Sequence, residues 1–257
     1  MCARTVFYCV GEKRSSMMAG LDRIAPGGVV RVARCALRLA PEAWPFAVRH
    51  ADEIAEHWEQ QRSVSPKLYD GVVHLLRTCM FEHNVFTATL LRSDFKSFLY
   101  WRALGYPEAG VRDGFGSAVI RSAEGHVLLG RQTAGNVNQG LAYPPGGFID
   151  ERDVRAGVVD IDAGTARELH EETGMMPDEF ARAPGYLVTT SGPHVSIAVE
   201  WRSALPSDAL KAHILNYVRR QPEAELADVV IVRSRSDIDA HTMPGYATVL
   251  LSALLAA

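Results

Sequence analysis

Residues 143–174 constrain the fold of this chain more than any other stretch. Tyr143-Pro144-Pro145 is stiff, because each proline fixes its own φ and restrains the residue before it, while Gly146-Gly147 can take backbone angles closed to other residues. Such a loop can hold a ligand. The pattern then predicts a helix over 163–173 that ends at Gly174 as a left-handed stop. At about 100° per residue, Glu168, Glu171 and Glu172 project within one sector of that helix. Like charges so spaced weaken an isolated helix by roughly a few tenths of a kcal/mol per pair, and a bridging cation offsets this. Hard ions that prefer oxygen and keep several waters, Mg²⁺ or Mn²⁺, fit such a set. Taken alone, the three acids fit a solvated helix face better than a metal site.

The flanks of this segment read as β structure. Runs over 116–121 and 126–132, joined through Ala123-Glu124-Gly125, predict a hairpin. A second hairpin is predicted from 186–190 and 195–201, turned by Ser191-Gly192-Pro193. A helix over 208–220, a strand over 226–232 and a closing helix over 244–255 follow. Strands interleaved with helices in this way make the chain α+β.

The first hundred residues have their own pattern. Residues 1–28 lack a sustained period and are expected to form a flexible leader. Ala33, Cys35, Leu37 and Leu39 alternate with Arg34 and Arg38 as in a half-buried strand. Between 45 and 61, Ala47, Ala51, Ile54, Ala55 and Trp58 form a helical stripe. Strands are expected over 72–76 and 86–91, then a helix started by Ser93 or Asp94 and carrying Phe95, Phe98, Leu99 and Trp101. Pro107, Gly110 and Gly114 place a boundary near 108–113, giving a leader (1–28), an N-terminal α/β region (29–112) and a second domain (113–257).

Bulk properties remove several function classes. With 27 basic and 30 acidic residues the net charge is −3, so no global positive field draws a nucleic acid. Cys2, Cys9, Cys35 and Cys79 show no Cys-x-x-Cys spacing, which disfavours a disulfide framework or a structural zinc. Arg4, Glu12, Lys13 and Arg14 interrupt any signal-peptide core, and the apolar stretch 246–257 is too short to span a bilayer. A cytoplasmic location without membrane contact is the expectation; a homodimer stays open.

Arg167-Glu168-Leu169-x-Glu171-Glu172-x-Gly174-Met175, with the earlier glycine Gly147, resembles the Nudix box, which runs Gly, five residues, Glu, seven residues, Arg-Glu-apolar-x-Glu-Glu-x-Gly-apolar. The second half matches at every specified position. Gly147 lies 20 positions before Arg167 where the family spacing is 14, so about six residues are inserted, expected to loop out between Asp153 and Asp162. The family's first Glu falls on Asp153 counted forward and on Val159, beside Asp160, counted back.

The resemblance implies a Nudix α/β/α sandwich with a mixed sheet over 113–257. It implies hydrolysis of a phosphoanhydride bond in a small nucleotide substrate, with Glu168, Glu171 and Glu172 as Mg²⁺ or Mn²⁺ ligands. Arg167 would orient a neighbouring carboxylate, a task suited to a bidentate guanidinium. Arg167, Glu168, Glu171 and Glu225 are the candidates for the chemistry; the general base is either a helix glutamate or a loop acid, Glu223 or Glu225. Arg131, Gln132, Tyr143 and Gly147 are the candidates for binding substrate, with Tyr143 or Phe115 available to stack on a base. The implied substrate is a nucleoside diphosphate linked to another moiety: a sugar nucleotide, ADP-ribose or a dinucleotide. Trp58, Asp70-Gly71 and Phe98-Leu99-Tyr100-Trp101-Arg102 are loosely similar to leaders of larger Nudix proteins acting on nucleotide sugars. A nucleotide sensor without turnover and a nucleoside triphosphate pyrophosphohydrolase are the alternatives.

Overall fold

The computed structural model describes residues 27–135 and 137–256. The expected leader falls almost wholly on residues 1–26, outside the described residues. Strands β1 (Val29–Val32) and β2 (Arg34–Ala40) come first, followed by helices α1 (Pro45–Arg49) and α2 (Ala51–Val64). The hairpin β3 (Val72–Glu82) and β4 (Val85–Asp94) then leads into helix α3 (Phe95–Ala103). Both hairpin strands run well past the predicted 72–76 and 86–91. His83 and Asn84, with φ of 48° and 64°, form a two-residue turn whose twist matches the strands and lets pairing continue to Glu82↔Val85.

Helix α3 begins where the sequence places it: the Asp94 side chain accepts from the Ser97 N–H at 2.9 Å. Its apolar side joins Trp44, Phe46, Val73, Leu75 and Leu91 in a core of its own. The indole N–H groups of Trp44 and Trp101 donate to the carbonyls of Ala109 and Pro107, so neither buried ring leaves a donor unpaired.

The rest of the chain carries β5 (Asp113–Arg121), β6 (Val127–Gln132), β7 (Ala142–Tyr143), β8 (Gly146–Phe148), β9 (Val154–Arg155), β10 (Val158–Val159) and helix α4 (Ile161–Thr173). Then come β11 (Ala181–Arg182), β12 (Tyr186–Ser191), β13 (His194–Arg202), α5 (Ser207–Val218), β14 (Leu226–Val232), α6 (Arg235–Asp239) and α7 (Gly245–Leu254). The main sheet has the order β1-β12-β13-β5-β6-β14 and is mixed, with β13 and β5 parallel and its other neighbours antiparallel.

Alternation along the strands divides this sheet's side chains between two cores. Ile197, Val199, Leu128, Val229 and Ile231 pack with Leu169 of α4 and Leu210 and Ile214 of α5. Ala198, Val127, Leu129, Val230 and Val232 pack with Ile238 of α6 and Leu250, Leu251 and Leu254 of α7. A three-layer α/β/α sandwich results, because each strand is apolar on both faces.

The N-terminal segment and the sandwich exchange strands. β1 pairs with β12 in the main sheet, while β10 pairs with β2 in a second sheet of order β3-β4-β2-β10-β9. The stretch expected to loop out after Asp153 is therefore a small hairpin, held to β2 by Val158↔Arg38 and by the Leu39 N–H to the Gly157 carbonyl. Among the described residues, no helix is long and apolar enough to cross a membrane.

Candidate active site

Strands β5 and β6 pair only at Ile120↔Leu128 and Arg121↔Val127 and then diverge, with β8 taking up β5 and β7 taking up β6. The gap this leaves is a cleft of about 380 Å³. Helix α4 closes one side of it. Phe95, Phe98 and Arg102 of α3 stand on another, so the N-terminal region forms part of the wall.

Helix α4 is fixed at both ends. The Asp160 side chain accepts from the Ala163 N–H at 3.0 Å, and Gly174 ends the helix with φ of 71°, where a side chain would also run into the Tyr217 ring. Glu168, Glu171 and Glu172 therefore all sit in its last turns, at the negative end of the helix dipole, where carboxylates are disfavoured.

The three glutamates have different surroundings. Glu172 is 5% exposed, and its Oε1 accepts from the Gly146 N–H at 2.8 Å. Burial raises its pKa to about 8 against the pull of the Gly146 N–H; Glu225 and Glu168 add to the rise, and the Gln132 side chain, which also reaches the carboxylate, opposes it. Burial likewise raises Glu168 to about 7, opposed by Arg167 and reinforced by Glu171. Gly147 lies against Glu168 so closely that a Cβ there would fall 2.7 Å from Oε1. Glu171 is half exposed, does not line the cleft, and is drawn to Arg152 at 3.2 Å and Arg167 at 3.4 Å.

Arg167 is a hub: its Nη1 donates to Glu168 Oε1 at 2.5 Å and its Nη2 to Asp153 Oδ1 at 2.9 Å. Asp153, the position reached by counting forward from Gly147, is thus the acid that meets Arg167, whereas Val159 is a buried apolar residue of β10.

The remaining candidates divide between the cleft and its surroundings. Gln132, Tyr143, Gly147 and Phe115 line it, and the Tyr143 hydroxyl accepts from Asn138 Nδ2 at 3.1 Å. Glu225 stands at the rim, where the crowding walls and then Glu171 raise its pKa. Glu223 is outside, paired with Lys67 at 2.5 Å. Arg131 is not part of the lining: its guanidinium donates to the Gly140 carbonyl at 3.0 Å and lies 3.2 Å from His241 Nδ1.

Arg102, Asp113 and His194 are among the lining residues that escape sequence reasoning. Arg102 of α3 is the arginine of the cleft, its Nη2 donating over 3.3 Å to the Val137 carbonyl and to Asn138 Oδ1. Asp113 and His194 start β5 and β13 and are register partners, which a separation of 81 residues hides in the sequence.

Among the described residues, no three His, Cys, Asp or Glu side chains converge as ligands of one ion. The chemistry of the cleft nevertheless suits a cation. Glu168, Glu172 and Glu225 line it together, each with a raised pKa, and Glu172 is almost wholly buried.

No family model matches the sequence, and no curated protein matches it. Among solved structures, the chain is similar to the Nudix hydrolase RenU from M. smegmatis (18% identity, 55% of this chain and 83% of that chain, TM-score 0.37). It is also similar to the MutT protein from Methanosarcina mazei Go1 (21% identity, 55% and 91%, TM-score 0.38). A third is the NUDIX domain of Shewanella oneidensis NrtR complexed with ADP ribose (18% identity, 61% and 94%, TM-score 0.36).

Proposed function

We propose that this chain is a metal-dependent hydrolase that cleaves a phosphoanhydride bond in a nucleoside diphosphate joined to a second moiety, such as a sugar, a ribose or another nucleotide. The observation that carries this reading is the buried Glu172 carboxylate, 5% exposed and set beside Glu168 and Glu225 in a cleft that Gly146 and Gly147 also line. A buried carboxylate among other carboxylates is costly unless positive charge joins it. The complete second half of the Nudix-like box, Arg167 to Met175, supports the same conclusion.

Glu168 and Glu172 would hold the divalent ion, Mg²⁺ or Mn²⁺, with Glu171 reaching it by leaving Arg152 and Arg167. Bound there, the ion would supply Lewis-acid stabilisation of phosphate oxygens and make water a better nucleophile. Arg167 is a positioning residue: tied to Asp153, it fixes the side chain of Glu168. Arg102, whose two contacts are long and go to neutral acceptors, is placed to bind a phosphate oxygen. Water adds to one phosphorus, the bridging P–O bond breaks, and its electron pair leaves with the departing phosphate. Glu225 at the rim takes the proton from water, and burial and then Glu171 raise its pKa, which strengthens it as a base.

The test is a panel of nucleoside diphosphate sugars, ADP-ribose, dinucleotides and nucleoside triphosphates, incubated with Mg²⁺ or Mn²⁺ and analysed by product. Release of a nucleoside monophosphate from the diphosphate conjugates, abolished in Glu172→Gln, is the expected result. Pyrophosphate release from triphosphates alone would replace the proposed substrate class. Tight binding with no product under either metal would replace hydrolysis with sensing.

A further inference from the structure

The end of the cleft next to Asp113 differs in chemistry from the carboxylate end. His194 is enclosed by the rings of Tyr106, Phe115 and Tyr246, with centroid separations of 5.2, 6.4 and 6.3 Å. All four line the cleft. The ring contacts are mostly edge-to-face, Phe115 meeting Tyr246 at 4.7 Å and 68°, so the lining offers both ring faces and ring edges.

Within this aromatic lining His194 has one defined polar edge. Its Nδ1 is 2.9 Å from Asp113 Oδ2, and Asp113 is 5% exposed. A carboxylate only accepts, so Nδ1 donates to it, and in this tautomer Nε2 is the ring's acceptor. The second oxygen of Asp113, Oδ1, is buried with no hydrogen-bond partner.

The spacing also fits. From Asp113 to Gly116 is three residues of β5, roughly 10 Å, and Gly116 pairs with Gly147, which lies against Glu168. A ribose fits between a group bound at His194 and a diphosphate at the glutamates.

We propose that this end of the cleft is a nucleobase-recognition pocket, in which His194, oriented by Asp113, accepts a hydrogen bond from a ring N–H or exocyclic amine of a base packed among Tyr106, Phe115 and Tyr246. The proposal rests on the reading of the cleft as a nucleotide site, and it assigns specificity to residues outside the acidic helix. Asp113 acts through His194 and is a positioning residue. Tyr106 follows α3, so the N-terminal region takes part in choosing the base.

The test separates base recognition from both catalysis and stability. Calorimetric titrations in Mg²⁺ compare methylene-bridged ADP and UDP, which resist hydrolysis, with methylenediphosphonate, which has no base. For the wild type, at least one nucleotide analogue is expected to bind about tenfold or more tightly than the baseless control. His194→Phe keeps a ring in the aromatic lining and removes Nε2; it should lose about tenfold in affinity for that nucleotide and leave methylenediphosphonate binding unchanged. His194→Gln, which restores an acceptor, should recover part of the loss. Equal binding of all three probes by the wild type, or an equal loss for all three in His194→Phe, would overturn the pocket. A base-dependent difference in a protein that hydrolyses no conjugate would refute the hydrolase reading and leave the pocket standing.

Discussion

Arg167 Nη2 lies 2.9 Å from Asp153 Oδ1, joining the acidic helix to the short turn that precedes the inserted hairpin. Asp153 is almost fully buried and also accepts from the Asp150 N–H at 3.1 Å. Asp153→Ala therefore leaves a largely buried guanidinium with one partner fewer. A loss of about 2–3 kcal/mol is expected in urea denaturation, below the full cost of breaking a buried pair because Glu168 still faces Arg167. A change under about 0.5 kcal/mol would show that the contact does not hold the helix.

Glu172→Gln should separate stability from activity. Glutamine keeps an acceptor for the Gly146 N–H and removes a carboxyl whose ionised form burial disfavours. In metal-free buffer near pH 8 the variant should be more stable than the wild type by on the order of 1–3 kcal/mol. Hydrolysis in Mg²⁺ should fall by about 100-fold or more. A variant that is less stable in chelator would mean that the carboxylate is already balanced by the protein itself.

Much of the sandwich is written in short-range pattern. The β-type runs of β12, β13 and β14, the Asp94 cap and the Gly174 stop are each local signals, and the structure places them where the sequence does. Sheet membership is different. That β1 pairs with β12 and β10 with β2 depends on partners more than a hundred residues away, and nothing in four- or two-residue strands specifies that choice. At the site, the acidic helix and Gly147 are legible because chemistry and spacing coincide in one segment. Arg131 illustrates the converse: its residue type suits phosphate, yet the guanidinium satisfies the Gly140 carbonyl instead. Arg102 reaches the cleft only because α3 packs there, through Phe98 against Phe148 at 4.8 Å.

His74 gives the fold an acid-side dependence. It is buried in β3, its Nδ1 is 3.0 Å from the Ile149 carbonyl, and its Nε2 has no partner. Burial lowers its pKa, outweighing the opposing effect of that carbonyl. The folded state thus binds the proton less well than the unfolded state. The stability contributed by neutral His74 is present above the unfolded pKa of about 6.5 and is lost as pH falls through the lower folded value. Denaturation midpoints between pH 7.5 and 5 should drop less in His74→Gln than in the wild type. Parallel pH profiles would show that another group sets the acid limb.

Arg102 carries the most direct link between the N-terminal region and turnover. It projects from α3 into a cleft lined by Glu168, Glu172, Glu225 and Asp113, and among the described residues it is the arginine that lines that cleft. Its present contacts, both 3.3 Å and both to neutral acceptors, are weak enough to exchange for a charge-assisted bond. Arg102→Ala should therefore leave stability within about 0.5 kcal/mol, while raising KM for a hydrolysed nucleotide conjugate by roughly 10- to 100-fold with little change in kcat. Arg102→Lys should recover part of the loss, since it keeps the charge without the fork. Steady-state kinetics at two salt concentrations check this, because an interaction with phosphate weakens as ionic strength rises. An unchanged KM in Arg102→Ala would remove the arginine from substrate binding and leave α3 as a wall of the cleft alone.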